Sequence, residues 1–158
     1  MNRTTVERTS DREVVVTRTF DAPASLVFEA WTEPELFRQW WVPRSMGMTL
    51  RSCELDVRTG GKYRLVFEDD PANPMAFFGK YLDVVPNQRI VWTNEESGAD
   101  GSVSTVTFEE ENGKTTLVVS ELYPTKEALD AAGTGAQDAL SETFGQLDEL
   151  LVTLSASR

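Results

Sequence analysis

The sequence predicts an α+β domain in which a curved antiparallel sheet wraps around a long C-terminal helix. Three observations carry this expectation. Residues 48–121 read as short β-rich runs cut by turn residues, the closing segment repeats leucine and phenylalanine at helical spacing, and one strand with two short helices precedes both. A sheet with one apolar face and a helix with one apolar stripe bury each other only by packing face to face, so the long helix belongs inside the curve of the sheet.

Each element has its own local reason. "REVVVTRTF" (Arg12–Phe20) is β-branched and runs into "DAPAS", where Pro23 suits a helix opening because its missing N–H would be unpaired there in any case. Val27, Ala30 and Trp31 then fall at helical spacing. "TEPELFRQWW" restarts a short helix, with Pro34 at its opening, Leu36, Phe37 and Trp40 available for burial, and Pro43 ending it. Six runs follow: "MTLRSCELDV", "KYRLVFE", "MAFFGKYLDVV", "QRIVWTN", "SVSTVTFEE" and "KTTLVVSEL". The turn signal between the last two is Asn112-Gly113, since a type I′ hairpin needs positive φ at both central residues. Gly79 marks a place where a strand can bend. "YPTKEALDAAGTGAQ" reads as a short helix broken at Gly133-Thr134-Gly135. The last helix carries Leu140, Phe144, Leu147, Leu151 and Leu154 on one stripe, leaving Asp138, Gln146 and Glu149 for the opposite face.

Composition narrows the function classes. The 158 residues fit one domain, taken as residues 12–156 behind a flexible segment 1–11, and a chain of this length buries roughly 70% of the surface its unfolded form exposes. Fifteen basic against 26 acidic residues give a net charge of −11, so nucleic acid and anionic membranes are not expected partners. No apolar run approaches the ~20 residues of a membrane span. One cysteine, Cys53, makes no internal disulfide, and the N-terminal stretch lacks the apolar core of a signal peptide, which together read as cytoplasmic. Without histidine there is no usual general base, no common zinc ligand and no Ser-His or Cys-His pair. No metal and no cofactor are expected.

Period-2 alternation assigns Cys53, Leu55, Tyr63, Leu65, Phe67, Phe77, Gly79, Tyr81, Ile90 and Trp92 to the concave face, with Leu117 and Val119. Leu140, Phe144 and Leu147 oppose them from the helix. Glu54 and Asp56 share the other face and read as solvated carboxylates rather than a catalytic pair. Cys53 reads as a buried small side chain, with no base to activate it. Adjacent helical residues point about 100° apart. Trp40 and Trp41 are therefore expected to divide their work, one packing in the core and the other lining a pocket mouth or the surface.

The segments "TRTFDAPASLVFEAWTEPELFRQWW", "CELDVRTGGKYRL", "FFGKYLDVVPNQRIVWT", "VTFEEENGKTTLVV" and "FGQLDELL" resemble, in the same order, the bacterial homologs of the activator of the ninety-kilodalton heat-shock chaperone's ATPase. That family lies within the START-like, or SRPBCC, superfamily. The resemblance covers about residues 13–154 and implies the helix-grip fold, with a cavity between sheet and helix that often takes hydrophobic, lipid-like ligands. Ala139-Leu140 stands where many relatives have Gly-Trp, and Val42 where a glycine usually follows the tryptophan pair. Both departures fall at the cavity or its mouth, so ligand identity does not carry over.

Three functions follow. The first is non-catalytic binding of a hydrophobic or amphipathic small molecule in that cavity, with Trp40, Trp41, Tyr63, Phe67, Tyr81, Trp92, Leu140, Phe144 and Leu147 as its candidate wall. The second, implied by the resemblance, is regulation of a chaperone ATPase, with a chaperone as partner and a role in stress response. The third is an enzyme acting on a hydrophobic substrate, with Tyr63, Tyr81 or an inward carboxylate as acid or base. A monomer and a homodimer are both compatible with the sequence.

Overall fold

A computed structural model describes residues 4–42, 44–46, 49–68, 75–95, 101–132 and 135–156, with side chains described except at 46, 49, 67, 68, 75, 132 and 135–138. Pro43 and the Gly133-Thr134 break lie outside these residues. The strands are β1 (Thr5–Arg8), β2 (Glu13–Phe20), β3 (Thr49–Leu55), β4 (Lys62–Glu68), β5 (Met75–Val85), β6 (Arg89–Thr93), β7 (Val103–Glu111) and β8 (Lys114–Leu122). The helices are α1 (Ala24–Thr32), α2 (Pro34–Trp40), α3 (Lys126–Ala132) and α4 (Gly135–Ala156), with one 3₁₀ turn at Arg44–Met46.

The strands form one antiparallel sheet in the order β1-β2-β8-β7-β6-β5-β4-β3. The curved sheet and the long terminal helix are those expected. One strand was not: β1 adds to the outer edge of β2, where Val6 packs partly against the core and Arg8 bonds Asp130 Oδ1 at 2.7 Å. Its sequence, "TVER", is too short to announce a strand by alternation.

Local geometry explains the turns and bends. At the β7–β8 hairpin Asn112 and Gly113 have φ of 55° and 78°, the pair of positive values that a type I′ turn requires. Pro34 occupies the first turn of α2 as expected, whereas Pro23 sits one residue earlier, as the N-cap of α1. The free N–H of Ala24 at that opening is taken by Glu110 Oε1 at 2.7 Å, a carboxylate at a helix N-terminus. Register shifts at Leu50/Ser52 in β3 and Tyr81/Asp83 in β5 supply the bends.

Gly79 lies between these bends for a different reason from the one expected. A Cβ there would stand 2.0 Å from the Thr93 carbonyl oxygen, so the glycine permits the close approach of β5 and β6. Gly79→Ala is expected to destabilise the protein by about 2 kcal/mol or more, because backbone rather than a side-chain tip must move. Urea denaturation followed by tryptophan emission checks this; an unchanged midpoint would contradict the close approach.

Candidate functional site

The inner face of the sheet, α1, α2 and α4 enclose one aromatic cluster. Trp31 is its centre: ring centroids of Trp40, Trp41, Trp92, Phe37, Phe108 and Phe144 lie between 4.9 and 6.4 Å from it. Each aromatic pair of this kind adds about 0.5–1.5 kcal/mol beyond area burial. Helical spacing on α1 aims Trp31 inward, and α2 brings Phe37 and Trp40 against it.

The adjacent tryptophans divide their work as the spacing predicts. Trp40 is fully buried, and its Nε1–H donates to the Ala30 carbonyl at 3.0 Å, so it is a core residue with its polar atom satisfied. Trp41 is only partly buried and stacks on Phe37 at 4.8 Å. Tyr63, Tyr81 and Trp92 are buried on the inner face, with the two tyrosine rings 5.7 Å apart. Phe144 and Leu147 are fully buried from α4, while Leu140 is partly buried beside them. Phe67 lies on β4, but its side chain is outside the described residues.

Polar groups form a strip across four strands of the same face. Tyr63 Oη donates to the Thr93 carbonyl at 2.8 Å and lies 3.3 Å from Asn94 Oδ1. Asn94 Nδ2 donates to Ser104 Oγ at 3.0 Å, and Ser104 Oγ donates to Glu121 Oε2 at 2.6 Å. Sequence reading assigned no carboxylate here. The signal was present, since Glu121 continues the alternation of Leu117 and Val119, and Ser104 that of Val106 and Phe108.

Two titratable groups on this side are held neutral. Burial pushes the Tyr81 phenol well above its ordinary value, with Cys53 and Asp56 adding in the same direction. Burial likewise pushes the Cys53 thiol up to about 11, against the opposing pull of Arg38 and with a small push from Glu35. Neither is a nucleophile or base near neutral pH, which agrees with the reading of Cys53 as a packing residue.

Two buried donors have no hydrogen-bond partner among the described residues: Arg18 Nε at the α4 flank and Trp31 Nε1 inside the aromatic cluster. Trp31 is 4% exposed, and its Nε1 is buried without a hydrogen-bond acceptor. A buried polar group left unpaired costs about 1–3 kcal/mol. Helical spacing places Trp31 in a core stripe, and periodicity carries no information on whether an indole N–H finds an acceptor.

Gln146 overturns its expected place on the solvent side of α4. It is 5% exposed; its Nε2 donates to the Trp40 and Val42 carbonyls at 3.1 and 2.9 Å, and its Oε1 accepts from the Arg44 N–H at 2.9 Å. The segment after the tryptophan pair thus crosses α4, which makes that helix face an interior one. Glu142, one turn earlier, accepts from Ser45 N–H and Oγ at 2.9 and 2.6 Å, and these bonds hold its carboxyl below the usual range. At the other flank Arg18, on β2, pairs with Asp148 of α4 and lies over the Phe20 ring. Among the described residues no three His, Cys, Asp or Glu side chains gather where they could hold a metal ion.

A single sheet gripping one long helix, with α1 and α2 closing one side of the enclosure, defines the helix-grip, START-like class of α+β proteins. Residues 21–152 match the family described as Activator of Hsp90 ATPase homolog 1-like protein, and the chain belongs to that family. It is similar to a crystal structure from Rhodobacter sphaeroides (24% identity, TM-score 0.84, covering 96% of this chain and 99% of that one). A solution structure from Staphylococcus epidermidis is similar at 26% identity and TM-score 0.76, covering 94% of each chain. An AHSA1-like protein from Aeromonas hydrophila matches at 18% identity and TM-score 0.68, covering 85% and 92%. No curated protein matches the sequence. Among the described residues no helix is long and apolar enough to cross a membrane.

The Gln146 clamp makes a direct prediction. Gln146→Met keeps the volume but strands two carbonyls and one N–H, and is expected to destabilise the fold by about 2–3 kcal/mol. Gln146→Glu, which faces the two carbonyls with acceptors instead of a donor, is expected to do at least as much harm near neutral pH. Urea denaturation of both variants checks this; two unchanged midpoints would remove the clamp.

Proposed function

We propose that this protein binds a hydrophobic or amphipathic small molecule between the inner sheet face and α4, without catalysis, and that the ligand carries a hydrogen-bond acceptor. The observation that carries this reading is the Trp31 indole N–H, buried in an aromatic enclosure with no acceptor of its own. An incoming carbonyl or ether oxygen would satisfy it, while the ligand's apolar body meets ring faces. The strip from Tyr63 to Glu121 offers a second polar end, which favours an amphipathic molecule over a pure hydrocarbon. Trp40, Trp41, Tyr63, Phe67, Tyr81, Trp92, Leu140, Phe144 and Leu147 remain the proposed wall, with Trp31 added as the polar contact. Regulation of a chaperone ATPase is a second reading, favoured by the family description alone.

Fluorene and 9-fluorenone test the first reading, because they share one planar tricyclic body and differ in a single carbonyl. Equilibrium dialysis is expected to show both bound, with the ketone about five to ten times tighter, the worth of one hydrogen bond. Trp31→Phe is expected to erase that preference while fluorene binding persists. No binding of either probe would contradict the reading; equal binding of both would remove the acceptor but leave the apolar site.

A further inference from the structure

The sheet has a second face, and over β3–β5 it gathers four cations on a chain of net charge −11. Alternation along β3, β4 and β5 turns Ser52, Glu54, Lys62, Arg64, Val66, Ala76, Phe78 and Lys80 away from α4. The register sets Lys62 directly across from Lys80, Arg64 across from Phe78, and Val66 across from Ala76. A groove of 340 Å³ opens here, lined by Arg51, Ser52, Arg64, Val66 and Ala76. Phe78 stands beside it 42% exposed, although it is a large apolar side chain.

The cations of this face are unlike those elsewhere. Arg8, Arg18, Arg38, Arg44, Arg58, Arg89, Lys114 and Lys126 each hold a carboxylate partner. Among the described residues the cations without one are Arg12, whose Nη1 donates to the Pro124 carbonyl, and the four on this face: Arg51, Lys62, Arg64 and Lys80. Glu54 lies opposite Arg64 in the register without pairing to it, and Glu95 bonds Thr93 Oγ1 instead of Lys80. Like charges directly opposite on neighbouring strands repel. Among the described residues Lys62 and Lys80 face each other without a carboxylate bonded to either: Asp56, whose N–H donates to the Lys62 carbonyl at 3.0 Å, holds Arg58 with its carboxylate instead.

We propose that the outer face of β3–β5 docks an acidic protein segment that carries an apolar anchor. The anchor would seat on Ala76 and Phe78 above the buried Val66, and the flanking carboxylates would meet Arg51, Lys62, Arg64 and Lys80. Charge complementarity selects a short segment over a larger polyanion. The Debye length is about 8–10 Å at ordinary ionic strength, so a segment of a few residues meets the local positive field alone. A bilayer or a nucleic acid duplex extends past the patch and meets the rest of a chain of net charge −11. This surface is independent of the inner-face ligand.

Fluorescence anisotropy with fluorescein-labelled acetyl-DEDFDED-amide at low salt tests the proposal, with the Asn/Gln version of the peptide as control. The acidic peptide is expected to bind at least tenfold tighter than the control, and Arg64→Glu to weaken it at least tenfold. Lys80→Ala is expected to weaken binding while raising the melting temperature, because it removes the cross-strand repulsion; this keeps the test decisive should Arg64→Glu fold poorly. Equal binding of the two peptides would overturn the proposal. So would peptide binding unchanged by both variants, or retention of phosphatidylserine vesicles or duplex DNA in place of the peptide.

Discussion

The three hydrogen bonds of Gln146 to the backbone of Trp40, Val42 and Arg44 hold the enclosure together. Helix α4 can bury its leucines against the sheet with no help from a polar residue, but α2 is only seven residues long and ends at Trp40. A helix that short has no stability of its own in water. Its position depends on burying Phe37 and Trp40 and on having its C-terminal carbonyls satisfied from α4. Glu142 and Ser45 repeat the device one turn away, and Arg18 with Asp148 fixes α4 to β2 at the other flank. Trp31 is thereby packed between α2, α4 and the inner sheet face, with the partly exposed Trp41 beside it.

Much of this was legible in the sequence, and what was not has identifiable causes. Alternation places Tyr63, Leu65, Tyr81, Ile90, Trp92, Leu117 and Val119 on the buried face, helical spacing places Phe144, Leu147 and Leu151, and the Asn112-Gly113 signal gives its hairpin, because these depend on local periodicity and backbone sterics, whereas the inner face of β7 was not assigned. Gln146 was misplaced because polarity stood in for exposure. A glutamine with both ends of its amide bonded can be buried as fully as leucine, and only the crossing of the chain after Trp41 supplies those partners. Glu121 was overlooked for the same reason, although it sits in register with Leu117 and Val119. β1 escaped because four residues carry too few alternations, and its support comes from β2, Asp130 and the core rather than from itself.

The sheet separates two chemistries. Its inner face is aromatic, with neutral phenol and thiol groups and one carboxylate already engaged by Ser104. The outer face of β3–β5 is cationic around an exposed phenylalanine, on a protein that is otherwise strongly acidic. Side chains two positions apart on one strand share a face, while neighbours do not. Tyr63 and Arg64 can therefore serve different surfaces with no compromise between them. The same alternation that builds the core leaves the reverse side free to carry charge.

The buried Trp31 indole N–H has no acceptor among the described residues. Proton–nitrogen correlation spectra of the four tryptophan indoles, with the Trp31 signal assigned by its loss in Trp31→Phe, test it most directly. In the free protein that signal is predicted upfield, as an N–H without an oxygen acceptor, and 9-fluorenone is predicted to move it downfield while fluorene does not. A Trp31 signal already at the position of a hydrogen-bonded indole, and unmoved by the ketone, would mean that the N–H has its acceptor within the protein.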